Sequence, residues 1–533
     1  MQKNKFNKTT PTPKQSKMIQ DAVALHQTGQ LDLAEIKYKK LLSVMPSNTN
    51  LLTNLGTIAF QKGDLEETVS LISRSLQINP NQTNALSNLG LALHELKRIE
   101  EALVNYDRAI TLKPHYAEAH YNRGNALSEL KRHGEAVESY DNAITIKPDY
   151  AEAYANRGVA LKELKRFDEA LLSYGDAIEL RPHYADAYCN RGNALKELNR
   201  LDEALASYDR AIELKSNYAQ AYWNKSLLKL LLGEYTEGWQ LYEWRWQIFG
   251  RTPVRKFIEP LWLGNESLAN KRIFIYSEQG LGDVIQFIRY VVKVEQLGAK
   301  VILEVPKILI GIVSTLECQC TLIDTGITSP EFDYQCPLMS LPLAFQTKLD
   351  SIPSQVPYLF PPADKINFWK NYIGDEGFKI GISWQGGWGK EWMERSFPLH
   401  LLEDISKIKG IRLISLQKST GTDQLAVLPN GMSIEVLPDY FDNDGHAFLD
   451  SMAVMKCLDL VITCDTAITH LAGALNVKTW TALHYVPDFR WLLDRKDTPW
   501  YPKHRLFRQT IQNDWNTVFK VMENSLNRLI EEQ

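Results

Sequence analysis

The sequence predicts a multi-domain α plus α/β protein, in which a helical solenoid precedes a region built from two parallel-sheet halves. Three observations lead to this prediction. Residues recur at a spacing of 34 over the first part of the chain, and this period ends near residue 250. Strand, glycine turn, helix and strand then follow in the order of a βαβ unit. At 533 residues, the chain is also too long for a single hydrophobic core.

Four positions of the repeat each keep one kind of residue. Glycine and alanine let two antiparallel helices approach closely, tyrosine fills the space between adjacent helix pairs, and proline ends the second helix. One such unit cannot bury its apolar face alone, so the units are expected to stack into a solenoid. The recurring residues are Gly56, Gly90, Gly124, Gly158 and Gly192; Ala102, Ala136, Ala170 and Ala204; Tyr106, Tyr140, Tyr174 and Tyr208; and Pro46, Pro80, Pro114, Pro148 and Pro182.

This pattern resembles the tetratricopeptide-repeat family over about residues 14–249, in about seven units. The first unit has Ala22 in place of the glycine, and the last has Ser216, Ser226 and Gly238 in place of the proline, glycine and alanine. The resemblance implies a groove that binds a protein or peptide, with a spacer or a homodimerisation element as the alternative. The last unit runs into the segment WQLYEWRW, which is expected to dock onto the next domain.

Composition excludes several classes of protein. Net charge is −4 and basic residues form no block, which argues against nucleic-acid binding. The polar residues 1–13 are predicted to be disordered, and they contain no apolar segment typical of a secretory signal. No run of 18 apolar residues appears, so no transmembrane segment is expected. Six scattered cysteines predict buried, reduced thiols in a cytoplasmic protein rather than a disulfide framework or zinc site.

Residues 250–270 are predicted to be a linker to the α/β region. The first Rossmann-like half, over 271–365, is predicted from strands at 272–277 and 300–305 with a helix between them, and a proline-rich stretch at 356–365 closes it. The second half, over 366–533, contains predicted strands at 378–384, 411–418, 459–464 and 477–483, the last closing the series, and a terminal helix. Ligands of open α/β sheets bind at the carboxyl ends of the strands, so the loops there are the candidate site.

Two of these loops carry residues suited to chemistry. Asp283 follows the turn of Gly280 and Gly282 in the first helical turn, where it could act as a general base. An acidic residue at that position also caps the helix and complements its dipole, and the sequence alone favours this structural interpretation. Thr466 begins another helix, whose free amides would suit a phosphate group.

Three segments carry a second resemblance. GLGDVIQFIRYV, CDTAITHLAGAL and IGISWQGG with ERSFPL resemble the signature segments of heptosyltransferase-like glycosyltransferases of the GT-B fold, over about residues 271–510. The whole layout looks like that of bacterial tetratricopeptide-repeat glycosyltransferases and is similar to that of O-linked N-acetylglucosamine transferases. The resemblance implies transfer of a sugar from a nucleotide-diphosphate sugar to an acceptor hydroxyl, with no cofactor and no metal.

The resemblance also implies roles for individual residues. Asp283 would be the catalytic base, with Gly280 and Gly282 in the loop beside it. The loop of 384–399, with its three tryptophans, and the segment 484–502 depart from the heptosyltransferase pattern, which leaves the sugar and the base of the donor open. The alternative function is a non-catalytic repeat scaffold with an inactive nucleotide-sugar-binding domain. The implied donor-binding residues are Ser383, Arg395, Gln417, Asp465, Thr466, Ala467 and His470.

One further motif resembles a metal site. Asp442, Asn443 and Asp444 superficially resemble a metal-binding DxD motif. They lie in a run of turn-forming residues, so the sequence favours a solvated loop.

Overall fold

A computed structural model describes residues 12–248, 255–387, 389–443 and 447–532. Most of the predicted disordered segment 1–13 lies outside these residues, although the first helix already begins at Pro13 and Thr12 caps it. The chain forms two compact units, Met1–Lys215 and Ser216–Gln533. None of the helices in the described part of the chain combines the length and apolarity needed to span a bilayer.

The first unit consists of helix pairs, each helix packing against the next along the chain. The second helix of each pair from α2 to α10 ends two residues before the recurring proline, as predicted. The helices are α1 (Pro13–Gln27), α2 (Leu31–Val44), α3 (Thr49–Gln61), α4 (Leu65–Ile78), α5 (Thr83–Glu95), α6 (Ile99–Leu112), α7 (Ala117–Glu129), α8 (His133–Ile146), α9 (Ala151–Glu163), α10 (Phe167–Leu180), α11 (Ala185–Glu197) and α12 (Leu201–Leu214).

The sequence pattern places each recurring tyrosine between adjacent helix pairs, but in the structure its ring also packs against the recurring glycine of its own pair. A Cβ atom at Gly124 would lie 2.6 Å from Cε1 of Tyr140, which is buried. The pairs Gly90 with Tyr106, Gly158 with Tyr174 and Gly192 with Tyr208 repeat this contact. Any larger residue at these glycines would therefore displace an aromatic side chain from the core of the solenoid.

The second unit begins with one more helix pair and continues into the α/β region. Its helices are α13 (Ala219–Leu231), α14 (Tyr235–Tyr242), α15 (Leu281–Phe287), α16 (Arg289–Gln296), α17 (Ile310–Val313), α18 (Leu341–Ala344), α19 (Ala363–Ile373), α20 (Lys390–Arg395), α21 (Glu403–Ser406), α22 (Leu449–Met455), α23 (Ala467–Ala474) and α24 (Trp515–Glu531). Its strands are β1 (Arg272–Tyr276), β2 (Lys300–Val305), β3 (Cys320–Asp324), β4 (Tyr334–Pro337), β5 (Phe378–Ser383), β6 (Ile411–Ser415), β7 (Glu435–Val436), β8 (Leu460–Cys464), β9 (Thr479–Leu483) and β10 (His504–Arg508).

The strands form two sheets in which every pairing between neighbouring strands is parallel. The first sheet has the order β3-β2-β1-β4, and the second has the order β10-β9-β8-β5-β6-β7. The second sheet grows outward in both directions from β5 and β8, so the strand order reverses between these two strands. In open α/β sheets this reversal opens a crevice at the carboxyl ends of the strands, where ligands bind.

The division between the two units falls one repeat before the predicted boundary at residue 249. The reason is that α13 and α14 pack against the α/β part of the chain. Trp239 of α14 makes edge-to-face contacts with Phe287 of α15 and with Phe489. The docking predicted for the segment WQLYEWRW is thus found, but the whole last helix pair takes part in it.

The predicted linker is also part of the second unit where the structure describes it. Residues 249–254 lie outside the described part, but Leu261 forms a β-bridge with Gln335 and Trp262 is buried. Arg255 forms a bidentate ion pair with Glu304 of β2, at 2.7 and 2.9 Å. Residues 255–262 therefore pack onto the four-stranded sheet.

Three further predictions need correction. The strand at 477–483 does not close the series, because β10 pairs with β9 at the edge of the sheet. Helix α19 spans the predicted boundary between the halves at residue 365, and its Trp369 donates to Asp450 of α22 at 2.9 Å. The six cysteines are unpaired, but Cys318, Cys320 and Cys457 are only half-buried.

Candidate functional site

The helices that follow β1 and β8 pack directly against each other. A Cβ atom at Gly282 of α15 would lie 2.9 Å from the His470 ring and 3.5 Å from the Cα atom of Ala467, both in α23. Only a residue without a side chain allows this approach. The predicted loop glycine therefore serves helix packing, and the contact brings the candidate base and the candidate phosphate-binding helix into one site.

A row of alternating charges links these two helices, and we call it the Asp–Arg chain. Asp283 of α15 pairs with Arg490, which donates from Nη1 to Asp488 at 2.7 Å. Nη2 of Arg395 lies 3.6 Å from Asp488, and its Nη1 lies 3.4 Å from Asp465 at the end of β8. The side chains are mostly withdrawn from solvent, which makes each ion pair strong and each unpaired charge costly.

Burial raises the pKa values of all three aspartates in the Asp–Arg chain, but the neighbouring arginines offset this rise to different extents. It raises the pKa of Asp283 above the ordinary range, and Arg490 offsets this only in part. Burial likewise raises the pKa of Asp465 despite Arg395. Burial would also raise the pKa of Asp488, but Arg490 and Arg395 together hold it at about 2. Asp488 thus stays ionised within the Asp–Arg chain, and Asp283 is a stronger base than an exposed aspartate.

Asp283 also has the structural role that the sequence favoured. Its Oδ2 atom accepts a hydrogen bond from the backbone amide of Gly280 at 2.9 Å and so caps the start of α15. Its Oδ1 atom faces Arg490. Both carboxylate oxygens are therefore engaged within the protein.

Thr466 has the opposite character, because its hydroxyl has no hydrogen-bond partner in the described part of the chain. Thr466 is the N-cap of α23, yet its side chain makes no capping bond, and the residue is 7% exposed. A buried hydroxyl without a partner costs about 1–3 kcal/mol. A ligand oxygen at the start of α23 would satisfy both this hydroxyl and the free helix amides.

The structure brings Ser383 and Gln417 together, and their side chains form a hydrogen bond with each other. The Oε1 atom of Gln417 accepts from Ser383 Oγ at 3.1 Å and from the amides of Trp384 and Gln385. Its Nε2 atom donates to the carbonyls of Gln385 and Thr420, both at 2.8 Å. Because its donors and acceptor are all used, Gln417 ties the loops after β5 and β6 together.

His470 lies in the packed interior behind the start of α23. Its Nδ1 atom lies 3.0 Å from the hydroxyl of Tyr501, and its ring stacks on Trp491 at 5.5 Å. Burial holds the pKa of His470 well below its ordinary value, with a further contribution from Arg490. The ring is thus neutral near pH 7, and this geometry supports a packing role rather than a positive charge beside a phosphate.

Sequence reasoning missed Asp488 and Arg490, which lie in the segment that departs from the heptosyltransferase pattern. The local signal was the charged pair in the run PDFRW, enclosed by aromatic residues. Phe489, between the two charges, is buried against Trp239 and Tyr242. The last helix pair therefore fixes the loop of residues 488–490, whose Arg490 pairs with Asp283.

Arg245 anchors the segment WQLYEWRW beside this site. Its Nη2 atom donates to Glu278, just after β1, at 2.9 Å and to Ser340 at 2.8 Å, and its Nη1 atom donates to Glu243 at 2.6 Å. Burial raises the pKa of Glu278 to about 7, although Arg245 opposes the shift. The second oxygen of Glu278 is buried without a partner among the described residues, which agrees with a group that is readily protonated.

The raised pKa of Glu278 predicts a pH-dependent stability. The ordinary pKa of a glutamate is 4.5. Between pH 4.5 and about 7, the folded protein keeps the proton of Glu278, whereas the unfolded chain releases it. The free energy of unfolding therefore has its full value below pH 4.5 and falls by on the order of 3 kcal/mol as the pH rises through 7. Glu278→Gln should therefore remove most of the loss in unfolding free energy between pH 5.5 and 8, as measured by urea denaturation.

The control for this prediction is Glu304→Gln, which removes another buried glutamate paired with an arginine. It should lower stability but keep the loss above pH 5.5, because Glu278 is intact. An equal loss between pH 5.5 and 8 in the unmodified protein and in Glu278→Gln would contradict the assignment.

Asp442, the first residue of the DxD-like motif, is bound within the protein and does not lie in a solvated loop as predicted. Asp442 accepts from the backbone amides of Asp450 and Ser451 and from the Ser451 hydroxyl, so it caps α22. Asp444 lies outside the described residues. Within the described residues, no group of three histidine, cysteine or acidic side chains is placed to hold a metal ion.

Comparison with known proteins identifies the repeats. Residues 90–131, 124–165 and 160–199 match the family described as TPR repeat, and residues 185–218 match the tetratricopeptide repeat. Protein FlbA of Caulobacter vibrioides is 24% identical over 314 residues, which are 53% of this chain and 51% of that protein. The chain thus spans about half the length of the curated relative it matches.

Solved structures of repeat proteins are similar to parts of the chain. MamA is 25% identical with a TM-score of 0.30, over 31% of this chain and 97% of MamA. YrrB, a TPR protein with an unusual peptide-binding site, is 20% identical with a TM-score of 0.33, over 36% and 98%. A repeat protein from Parabacteroides merdae is 22% identical with a TM-score of 0.37, over 43% and 91%. The family matches show that residues 90–218 of this chain are tetratricopeptide repeats.

Proposed function

We propose that the second unit is a glycosyltransferase that moves a sugar from a nucleotide-diphosphate sugar to an acceptor hydroxyl, and that the repeats select a protein or glycan acceptor. The observation that carries this proposal is the start of α23. There a buried hydroxyl without a partner, free helix amides and a guanidinium near Asp465 converge at the point where the strand order reverses.

A diphosphate at this position would be held by the chain's own groups. The α23 amides and the Thr466 hydroxyl would donate to its oxygens, and Arg395 would neutralise part of its charge. Ala467 has no bulk to obstruct the first helical turn. These groups are fixed before the ligand arrives, so they would stabilise the charge that develops on the leaving diphosphate without rearrangement.

Asp283 would act at the other end of the Asp–Arg chain. For proton transfer, its Oδ1 atom must exchange Arg490 for the acceptor hydroxyl, while Arg490 keeps its bonds to Asp488 and Gln286. Asp283 then takes the hydroxyl proton, the acceptor oxygen bonds to the anomeric carbon, and the bond from that carbon to the diphosphate breaks. The raised pKa of Asp283 suits this task, because it brings the base closer to neutral pH.

A second candidate function is a repeat scaffold whose α/β region binds a nucleotide sugar without transferring it. One observation favours it: both oxygens of Asp283 are occupied, by the Gly280 amide and by Arg490. The two functions share the donor site and differ in whether the sugar is released.

A panel of nucleoside diphosphates and their sugars tests both functions on the full chain. We expect the diphosphates of one base to raise the midpoint of thermal unfolding, by a stabilisation of about 2.7 kcal/mol at a concentration 100 times the Kd. Incubation with the matching sugar nucleotide should then release free nucleoside diphosphate when an acceptor is supplied. Binding without release would support the scaffold. If no compound raised the midpoint, both functions would be excluded.

A further inference from the structure

The repeats of the first unit contain a recurring arginine that bridges neighbouring helix pairs. In α7, Arg123 donates from Nε to Asp107 of α6 at 2.7 Å and from Nη1 to Ser139 of α8 at 2.6 Å. In α9, Arg157 does the same with Asp141 at 2.5 Å and Ser173 at 2.6 Å. Each guanidinium therefore has a carboxylate from the preceding pair and a hydroxyl from its own.

The next repeat keeps the arginine and loses the carboxylate. Gly175 stands in α10 at the position of Asp107 and Asp141. Arg191 of α11 turns its Nε atom to Ser207 at 3.1 Å, and its guanidinium carbon lies 5.1 Å from the ring of Tyr188. Among the described residues, no carboxylate lies within ion-pair distance of Arg191, and its two Nη atoms have no acceptor.

The position of the absent carboxylate is open. A Cβ atom added to Gly175 would meet no other atom within 4 Å. Asp176, one residue further along α10, is exposed, and the arginine that acts on its pKa is Arg157. Both oxygens of nearby Glu203 are held by Arg200 at 2.7 Å. No carboxylate in the described part of the chain therefore takes the place of the absent aspartate.

We propose that Arg191 and the opening at Gly175 form a docking socket for an aspartate or glutamate side chain of a partner protein. The two preceding repeats show where that carboxylate would lie, because they contain it within the chain. A half-buried guanidinium with free donors gains most from a charged acceptor that completes its planar fork. This inference is independent of the proposed sugar transfer.

The test is a titration of the full chain, labelled with ¹⁵N-arginine, with a hexaglutamate peptide, followed by the Nε–Hε resonances. The Arg191 signal, identified by its loss in Arg191→Gln, should shift and saturate. The signals of Arg123 and Arg157 should not move, because their carboxylates are already in place. Hexaglutamine is the uncharged control, and acetate at the same carboxylate concentration tests for binding of any small anion.

Gly175→Asp is the decisive variant, because it restores the aspartate of the neighbouring repeats. It should abolish the peptide-induced shift of Arg191 and raise the thermal midpoint. If this variant does not fold, calorimetry with Arg191→Gln replaces it, with a loss of peptide affinity of about tenfold or more as the expected result. An Arg191 signal that does not move, that moves equally with acetate, or that still moves in Gly175→Asp would overturn the proposal.

Discussion

Replacing Arg490 with glutamine is expected to lower the free energy of unfolding by about 3–5 kcal/mol. Arg490 is the central cation of the Asp–Arg chain, and its side chain is 7% exposed. It bonds to Asp283, Asp488 and Gln286, so its loss leaves two mostly buried carboxylates facing each other. The measurement is urea denaturation at pH 7, followed by tryptophan fluorescence and circular dichroism.

The control for Arg490 is Arg200→Gln, in the first unit. Arg200 forms an equally short bidentate pair with Glu203, but its side chain is 45% exposed. Water screens such a pair, so its loss should lower the free energy of unfolding far less than the loss of Arg490. Equal losses in the free energy of unfolding for the two variants would show that burial does not determine how much the Asp–Arg chain stabilises the protein.

Trp239→Ala is expected to lower the free energy of unfolding by about 3–5 kcal/mol, the usual cost of deleting a fully buried aromatic side chain. Trp239 is 1% exposed and lies between Phe287 of α15 and Phe489 of the loop beside the Asp–Arg chain. Its indole nitrogen has no partner among the described residues, so apolar packing supplies the stabilisation. The variant should also loosen the loop of Asp488 and Arg490, because Phe489 loses its support.

Trp244→Ala is the matched control for Trp239. Trp244 lies in the same segment but is half-buried, and its main aromatic contact is a stack on Tyr222 at 4.0 Å. Its loss should cost about 1 kcal/mol. Equal losses in the two variants would contradict the placement of α14 in the core of the second unit.

The repeats were predictable because their pattern is local and periodic. Gly124 and Tyr140 recur with their neighbours at one spacing, and each residue's partner lies within the same helix pair. Strands β1, β2, β5, β6, β8 and β9 were predictable for a related reason, since each is a short apolar run. Strand β10 was missed because it lies at the sheet edge and begins with two polar residues, His504 and Arg505.

The candidate site was only partly predictable. Asp283 follows β1 of the first sheet, and Asp465 and Thr466 follow β8 of the second, so the topology places each at the carboxyl edge of its own sheet. The contact between α15 and α23 that joins the two edges is not visible in the sequence. Arg490 lies 207 residues from Asp283 in the chain, within an irregular segment, so no local pattern could pair them. The internal bonds of Gln417 depend on the loop conformations after β5 and β6, which its position at a strand end does not reveal.

The most direct test of the central claim is a calorimetric titration with the nucleoside diphosphate that the panel identifies. It compares the unmodified protein with Thr466→Val, since the Thr466 hydroxyl has no partner in the described chain and its removal should leave the fold intact. Thr469→Val is the control, because that hydroxyl is paired with Thr481 at 2.8 Å and its loss should reduce stability rather than affinity. A hydrogen bond to a charged diphosphate contributes about 1.5–3 kcal/mol, so Thr466→Val should weaken binding by about tenfold or more. Unchanged affinity in Thr466→Val would contradict a diphosphate site at the start of α23.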